Sequence, residues 1–241
     1  MRVHGQWPNP VVIRRGWSRA HARPWNRSRR DAHLRLGRGS SAFLAAAADT
    51  VIGFGASAVI SPPLTAGAQN VWRRAGFTEY TSLRLLRKQI EREETTAEPL
   101  QLLRDRAWTR VVSIDAAAFG DHWKAELPAL LEALESAPSS ALLGINDPGS
   151  GELAGYAIVA SSSAAGYVQR IAVDPGYQRR GLGRALTRHA NNWARRRGAR
   201  TLILNTKPDN TAALTLYRSE GYAVLPDRLE LLRYSPLPAR P

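Results

Sequence analysis

The chain has 241 residues, 44% of them hydrophobic, a formal net charge of +14 and no cysteine. That length and apolar content suit one large domain or two modest ones and exclude wholesale disorder. The missing cysteine excludes disulfides, thiolate metal sites and cysteine nucleophiles together, and makes the cytoplasm the expected compartment.

The charge is unevenly spread. The first fifty residues carry ten arginines against only Asp31 and Asp49. Clustered cations can serve a nucleic-acid partner through counterion release. No recognition module with interleaved aromatics accompanies them, so residues 1–40 read as an Arg-rich, solvated segment and nucleic acid is not the favoured partner. Ser28-Arg29-Arg30 before the apolar stretch Ala42 to Ile60 has the outline of a twin-arginine leader or a membrane span. Asp49 inside that stretch, and Gly53 and Gly55 within it, argue against both, and no membrane partner is expected.

The polar run Arg92 to Pro99 is the best linker candidate. After it, Ala107 to Phe119 and Trp123 to Leu134 read as helices, and Ala141 to Ile145, Ala154 to Ala160 and Tyr167 to Val173 as strands. Asp147-Pro148-Gly149-Ser150 and Ser161-Ser162-Ser163 supply the turns between them. Leu182, Ala185, Leu186, Ala190, Trp193 and Ala194 then recur at spacings of three and four, the apolar stripe of an amphipathic helix, which Gly198 ends. Thr201 to Leu204 is a short apolar strand, Asn210 to Glu220 returns to helix, and Tyr222 to Val224 and Leu229 to Tyr234 read as closing strands.

The segment Gln178-Arg179-Arg180-Gly181-Leu182-Gly183 opens the amphipathic helix directly after a strand. Two glycines let the backbone approach an anion, the helix N-terminus favours negative charge, and Arg179, Arg180 and Arg184 add cations, so the chemistry of the loop is phosphate binding. A glycine turn with solvated arginines is the plain alternative.

On these residues the stretch 168–222 resembles the GNAT superfamily of N-acetyltransferases. The family's Q/R-x-x-G-x-G/A loop is met by Gln178, Gly181 and Gly183. Its second signature, an Asn followed seven residues later by Tyr just before a Gly-aromatic pair, is met by Asn210, Tyr217, Gly221 and Tyr222. The resemblance implies an α/β fold of the GNAT acyl-CoA N-acyltransferase type, with a mixed sheet, over residues 97–236. It implies acetyl-CoA as co-substrate, an amine of a protein or small molecule as acceptor, and no metal. The backbone of Ile171, Ala172 and Val173 would pair with the pantetheine arm. Residues Gln178, Arg179, Arg180, Gly181, Leu182, Gly183 and Arg184 would hold the pyrophosphate, and Asn210 would complete the cofactor site.

Tyr217 shares a helix face with Ala213 and Leu214 and could be a core aromatic; the resemblance makes it the general acid for the departing thiolate. Asn210 could equally be a helix N-cap. No general base is legible, because Gln169 and Asn205 stand on the central strands where many family members place a carboxylate, which leans toward an acceptor of low pKa. The acceptor pocket is expected between Asp115 and Ser136, with Phe119 and Trp123 as substrate-binding residues and His122 read as a surface or hinge histidine.

Residues 41–91 read as a worn, partial repeat of the same half-fold. Trp72 to Phe77 parallels Tyr217 to Tyr222, Gly37-Arg38-Gly39 parallels the Gly181-Leu182-Gly183 loop, and Leu83, Leu85 and Leu86 parallel Leu229, Leu231 and Leu232. Trp72 in place of the phenol removes the acid step, and the strands before this Gly loop are expected to be missing. The arrangement resembles a tandem GNAT protein. A CoA-binding pseudoenzyme and a nucleic-acid-associated protein are the other functions left open.

Overall fold

The computed structural model describes residues 1–26, 30–104, 107–162 and 164–235. Ser28 and Arg29 of the leader-like outline, Ser163 of the serine turn and Pro236 at the expected domain end lie outside the described residues. Among the described residues, no helix is long and apolar enough to cross a membrane. The chain divides into two compact units: Met1–Leu83 with Asp227–Pro241, and Arg84–Pro226.

In the first unit, β1 (Arg2–His4), β2 (Val11–Arg15), β3 (Ser18–Pro24) and β4 (Asp31–Arg38) pair antiparallel in sequence. The expectation that residues 1–40 form a solvated segment without core, and that the repeat lacks its leading strands, is corrected here. Arginine and apolar residues alternate along these strands, so one face carries the charge and the other is buried. Val11, Ile13, Ala20, Ala22, Ala32 and Leu34 pack on Phe43, Leu44, Ala47, Ala48 and Val51 of α1 (Ser41–Gly53). Counting arginines hid a period of two.

Next, β5 (Ala58–Ile60) lies parallel to β4, and α2 (Ala66–Arg74) follows. Trp72 is buried on α2, with Phe77 edge-on to it at 4.9 Å between centroids. The unit is closed by the end of β12 (Ala223–Tyr234), whose Arg233 and Tyr234 pair with Ile60 and Val59. The two closing strands expected at Tyr222 to Val224 and Leu229 to Tyr234 are this one strand.

The second unit is built on β6 (Thr78–Gln89), β7 (Leu100–Leu102), β8 (Ser139–Asn146), β9 (Leu153–Ser162), β10 (Ala165–Val173) and β11 (Thr201–Thr206). Strands β7 to β10 are antiparallel neighbours, β11 is parallel to β10, and Arg84–Gln89 of β6 pairs antiparallel with all of β11. Strand β9 is buried on both faces, which is why it reads as an unbroken apolar run. Its Ala157 and Val159 face Leu182, Leu186 and Ala190 of α5 (Leu182–Arg195). Its Tyr156 and Ile158 face Val111 and Ile114 of α3 (Trp108–Trp123) and Leu130 of α4 (Leu127–Leu134).

The run Arg92 to Pro99 is no loose linker. Asn192 of α5 accepts from the Glu94 N–H at 2.8 Å and donates to its carbonyl at 2.7 Å, Asn191 donates to the Glu94 carboxylate at 2.7 Å, and His189 Nε2 lies 2.8 Å from the Glu98 carbonyl. Those polar groups on the buried side of α5 are accounted for by this strap.

Arg84–Gln89 supplies an edge of the second unit, which is contiguous from Arg84 to Pro226, and Asp227–Tyr234 supplies an edge of the first, which is therefore discontinuous in sequence. A chain truncated to begin at Ala97 loses β6, leaves the β11 backbone unpaired and exposes the core around Leu204. It is expected to aggregate in size-exclusion chromatography, whereas soluble, monodisperse protein would contradict this architecture.

Candidate active site

The site begins where two parallel strands part. Strands β10 and β11 are in register only for Ala165↔Thr201, Gly166↔Leu202 and Tyr167↔Ile203, although β10 continues to Val173 and β11 to Thr206. A register shift of β10 against β9 between Val168 and Arg170 marks a bulge at Gln169, a device that bends a strand and re-aims its side chains. Ile171, Ala172 and Val173 remain paired to β9 on their other edge, so the edge toward β11 is the free one. An extended ligand can complete such an edge with main-chain hydrogen bonds.

The end of β10 leads through Asp174 and a short 3-10 turn (Pro175–Tyr177) into the glycine loop. Asp174 caps that turn by accepting from the Gly176 N–H at 3.0 Å, and Gln178 Nε2 donates back to the Val173 carbonyl at 3.2 Å. Arg179 has φ 64 and Gly181 φ 84, both left-handed. Gly181 is the N-cap of α5, with no side-chain cap and no acidic residue in the first turn. Its exposed backbone and the positive end of the helix dipole form the anion-ready feature.

Gly181 faces open space, whereas a Cβ on Gly183 would stand 3.3 Å from Leu216 Cδ2 and 3.9 Å from Val173 Cγ2. Gly181 thus serves backbone conformation and Gly183 close packing of α5 on α6 (Thr211–Ser219). Arg180 Nη1 lies 2.9 Å from Asp147 Oδ1, and Arg184 Nε lies 2.8 Å from Glu220 Oε1. The Ser150 N–H, with Arg180 as a lesser cause, holds the Asp147 carboxyl below the usual carboxylate range against the opposing effect of burial. Arg188 also grips Glu220, at 2.7 and 3.1 Å.

Helix α6 starts at Asn210, whose Oδ1 accepts from the Ala213 N–H at 3.2 Å, so Asn210 is the N-cap. Tyr217 lies on α6, 5% exposed, its ring 5.8 Å from that of Tyr222. Among the described residues none hydrogen-bonds its hydroxyl, whereas Tyr222 donates to Asn191 Oδ1 at 2.6 Å. Burial pushes the Tyr217 phenol up to about 12.

Sequence reading missed the buried group around which Phe119 and Trp123 are arranged. Asp115 on α3 is fully buried and accepts two bonds from Arg170, at 2.7 and 2.9 Å, and a further one from the Tyr156 hydroxyl. Arg170 also donates to the Trp123 carbonyl at 2.7 Å and lies 3.7 Å from the Phe119 ring centroid. Lys207 Nζ sits 4.7 Å from the Trp123 ring centroid, and His122 stacks edge-on against Trp123. Phe119 and Trp123 are thereby brought to the bulged strand β10, with Gly120 at φ 65 bending the end of α3. The one sequence signal was an acid at the i+4 position from buried Val111, on the apolar face of a helix. Burial first, then the Asp115 charge, raises the Tyr156 phenol well above its ordinary value.

Residues 108–222 match the Acetyltransferase (GNAT) family, and the chain carries a GNAT acetyltransferase domain over that span. Over 72 residues it is 43% identical to the ribosomal protein bS18-alanine N-acetyltransferase of Escherichia coli (strain K12), covering 30% of this chain and 49% of that protein. It is 27% identical over 178 residues to the mycothiol acetyltransferase of Renibacterium salmoninarum, covering 66% of this chain and 52% of that protein. The chain thus spans about half the length of these curated relatives. A tandem GNAT protein from the clavulanic acid biosynthesis pathway shares the fold, with TM-score 0.64 at 13% identity over 96% of this chain and 83% of that one.

Removing one partner of a buried ion pair leaves an uncompensated charge. Asp115→Asn is therefore expected to lower the unfolding free energy by about 3–5 kcal/mol in a urea titration. A loss near zero would show that Arg170 is held by other means.

Proposed function

We propose that the chain transfers an acetyl group from acetyl-CoA to an amine, with the second unit as the catalytic unit. The observation that carries this reading is the parting of β10 from β11 beside the uncapped N-terminus of α5. The free edge of Ile171, Ala172 and Val173 suits an extended amide-bearing arm, and the left-handed Arg179 and Gly181 with the first α5 amides suit a diphosphate. Bound there, acetyl-CoA supplies the acyl group activated as a thioester.

Tyr217 is the general acid in this reading. A phenol held near 12 stays protonated at neutral pH, and its unshared hydroxyl is available to donate to a thiolate as the amine takes the acyl group. The acceptor amine must lose its own proton. Asp115 is engaged by Arg170, Tyr156 and the Ala125 N–H, and Gln169 and Asn205 are not bases. An amine of low pKa, such as an α-amine near 7.7–8.0 (about), therefore fits better than a lysine near about 10.4. The relative named for an alanine of a ribosomal protein makes a peptide α-amine the first acceptor to try.

We read the first unit as a worn copy without the acid step. The succession β2-β3-β4, α1, β5, α2 repeats β8-β9-β10, α5, β11, α6, with a parallel pair at the same place. Only Gly39 and Ser40 separate β4 from α1, where residues 174–181 separate β10 from α5. Ser40 caps α1 by accepting from Phe43, and the buried indole of Trp72 stands where Tyr217 does.

Tyr217→Phe keeps the ring and removes the hydroxyl. It is expected to cut kcat by about 10²- to 10⁴-fold with a saturating α-amine, while acetyl-CoA affinity stays within a few-fold. Because the acid must be protonated, its contribution in the wild type is present below the raised pKa and is lost only as pH climbs through about 12. Unchanged kcat in the Phe variant would remove Tyr217 from the chemistry, and no acetyl-CoA binding at all would overturn the reading.

A further inference from the structure

The first unit holds a feature that acetyl transfer does not use. The registers Arg2↔Arg14, Arg14↔Arg19 and Arg19↔Arg38 run through four adjacent strands, so four arginines stand directly opposite one another in one row. Cross-strand partners share a face, and in β2 and β3 this face is the reverse of the one that buries Ile13 and Ala20 against α1, while a register shift between Arg19 and Ala20 makes Gly37 the extra residue of β4 and sets Arg38 opposite Arg19. All four are exposed, and among the described residues no carboxylate pairs with any of them. Neighbouring strands lie about 4.8 Å apart, which makes the row about 14 Å long. Like charges placed directly opposite destabilise a sheet, so the row costs stability unless an anion covers it.

Beside the row, the β2–β3 hairpin turns through Gly16, at φ 56, and Trp17, whose indole is 88% exposed. An exposed tryptophan of this degree has no role in the core, and it is flanked in the same hairpin by Arg14, Arg15 and Arg19.

We infer that this face of β1–β4, with Trp17 at its tip, is a docking surface for single-stranded nucleic acid. The guanidinium row neutralises the phosphate backbone, and the indole stacks on an unpaired base, a pairing of contacts that binds single strands without sequence preference. A bilayer surface needs a broad apolar face; among the described residues of the first unit, exposed large apolar side chains are limited to Trp17, Met1 and Val3. An acidic protein would use the cations and leave the indole without a stacking partner.

The test is fluorescence anisotropy with the full-length protein and a fluorescein-labelled 15-nucleotide oligouridine across a salt series. The wild type is expected to bind with a log–log salt slope of about −2 to −3, near −0.7 for each neutralised phosphate. Arg14→Gln, Arg19→Gln and Arg38→Gln together are expected to weaken binding at least tenfold and to flatten the slope by about two, with the thermal midpoint unchanged or raised because repulsion is relieved. The same three positions changed to Lys retain the slope. Trp17→Ala weakens binding at least fivefold and leaves the slope unchanged. Absence of oligouridine binding at low salt, or binding indifferent to both the Gln and Trp17 variants, overturns the inference. So does tighter binding to phosphatidylserine vesicles or to a polyglutamate peptide than to the oligonucleotide. Acetyl-CoA binding by the triple Gln variant is expected to match wild type, so failure here is separable from failure of the proposed activity.

Discussion

The second unit depends on one backbone event: β10 and β11 begin as a paired parallel ladder and then separate after Tyr167↔Ile203. A strand inside a sheet normally satisfies both edges, so a strand that keeps one edge free near the core bears a cost that a bound backbone-like ligand can repay. The bulge at Gln169, the Asp115–Arg170 pair behind it and the long connection to α5 all lie along that opening. Gly183 closes the far side by letting α6 approach, which brings the helix of Tyr217 to the start of α5.

The two units also share a succession of elements, and the first is completed by a segment from beyond the second in sequence. Each compact unit has its own parallel pair, β4 with β5 and β10 with β11, and each takes an edge strand from the segment that follows the other unit's last helix. Contiguous cutting therefore cannot isolate the first core, and a cut that isolates the second must keep Arg84–Gln89. The strap of Glu94 to Glu98 on Asn191, Asn192 and His189 further ties the sequence before α3 to α5.

Much of the second unit was legible because its signals are local. The stripe from Leu182 to Ala194 set α5, the Asn210 cap and Gly221 bounded α6, and the apolar run Ala154 to Ala160 announced the strand β9. The loop with Gln178 and Gly181 leads directly into α5, and α6, which carries Tyr217, packs on α5 at Gly183 against Leu216. The long-range pieces were not legible. Asp115 and Arg170 are 55 residues apart, and nothing in either neighbourhood names the partner. The strands at residues 2–38 were hidden because their exposed faces are so rich in arginine that composition masked the alternation of Val11, Ile13, Ala20 and Ala22. Exposure of Trp17 depends on a hairpin whose pairing no local pattern fixed.

We propose that the open edge of β10 and the start of α5 bind acetyl-CoA. Hydrogen exchange followed by mass spectrometry tests it residue by residue. Adding acetyl-CoA is expected to slow exchange of the amides from Ile171 to Val173 and from Arg179 to Arg184, which ligand contacts would cover. Unchanged exchange in both segments, or new protection confined to Gly37 to Ser41 of the first unit, would contradict the account.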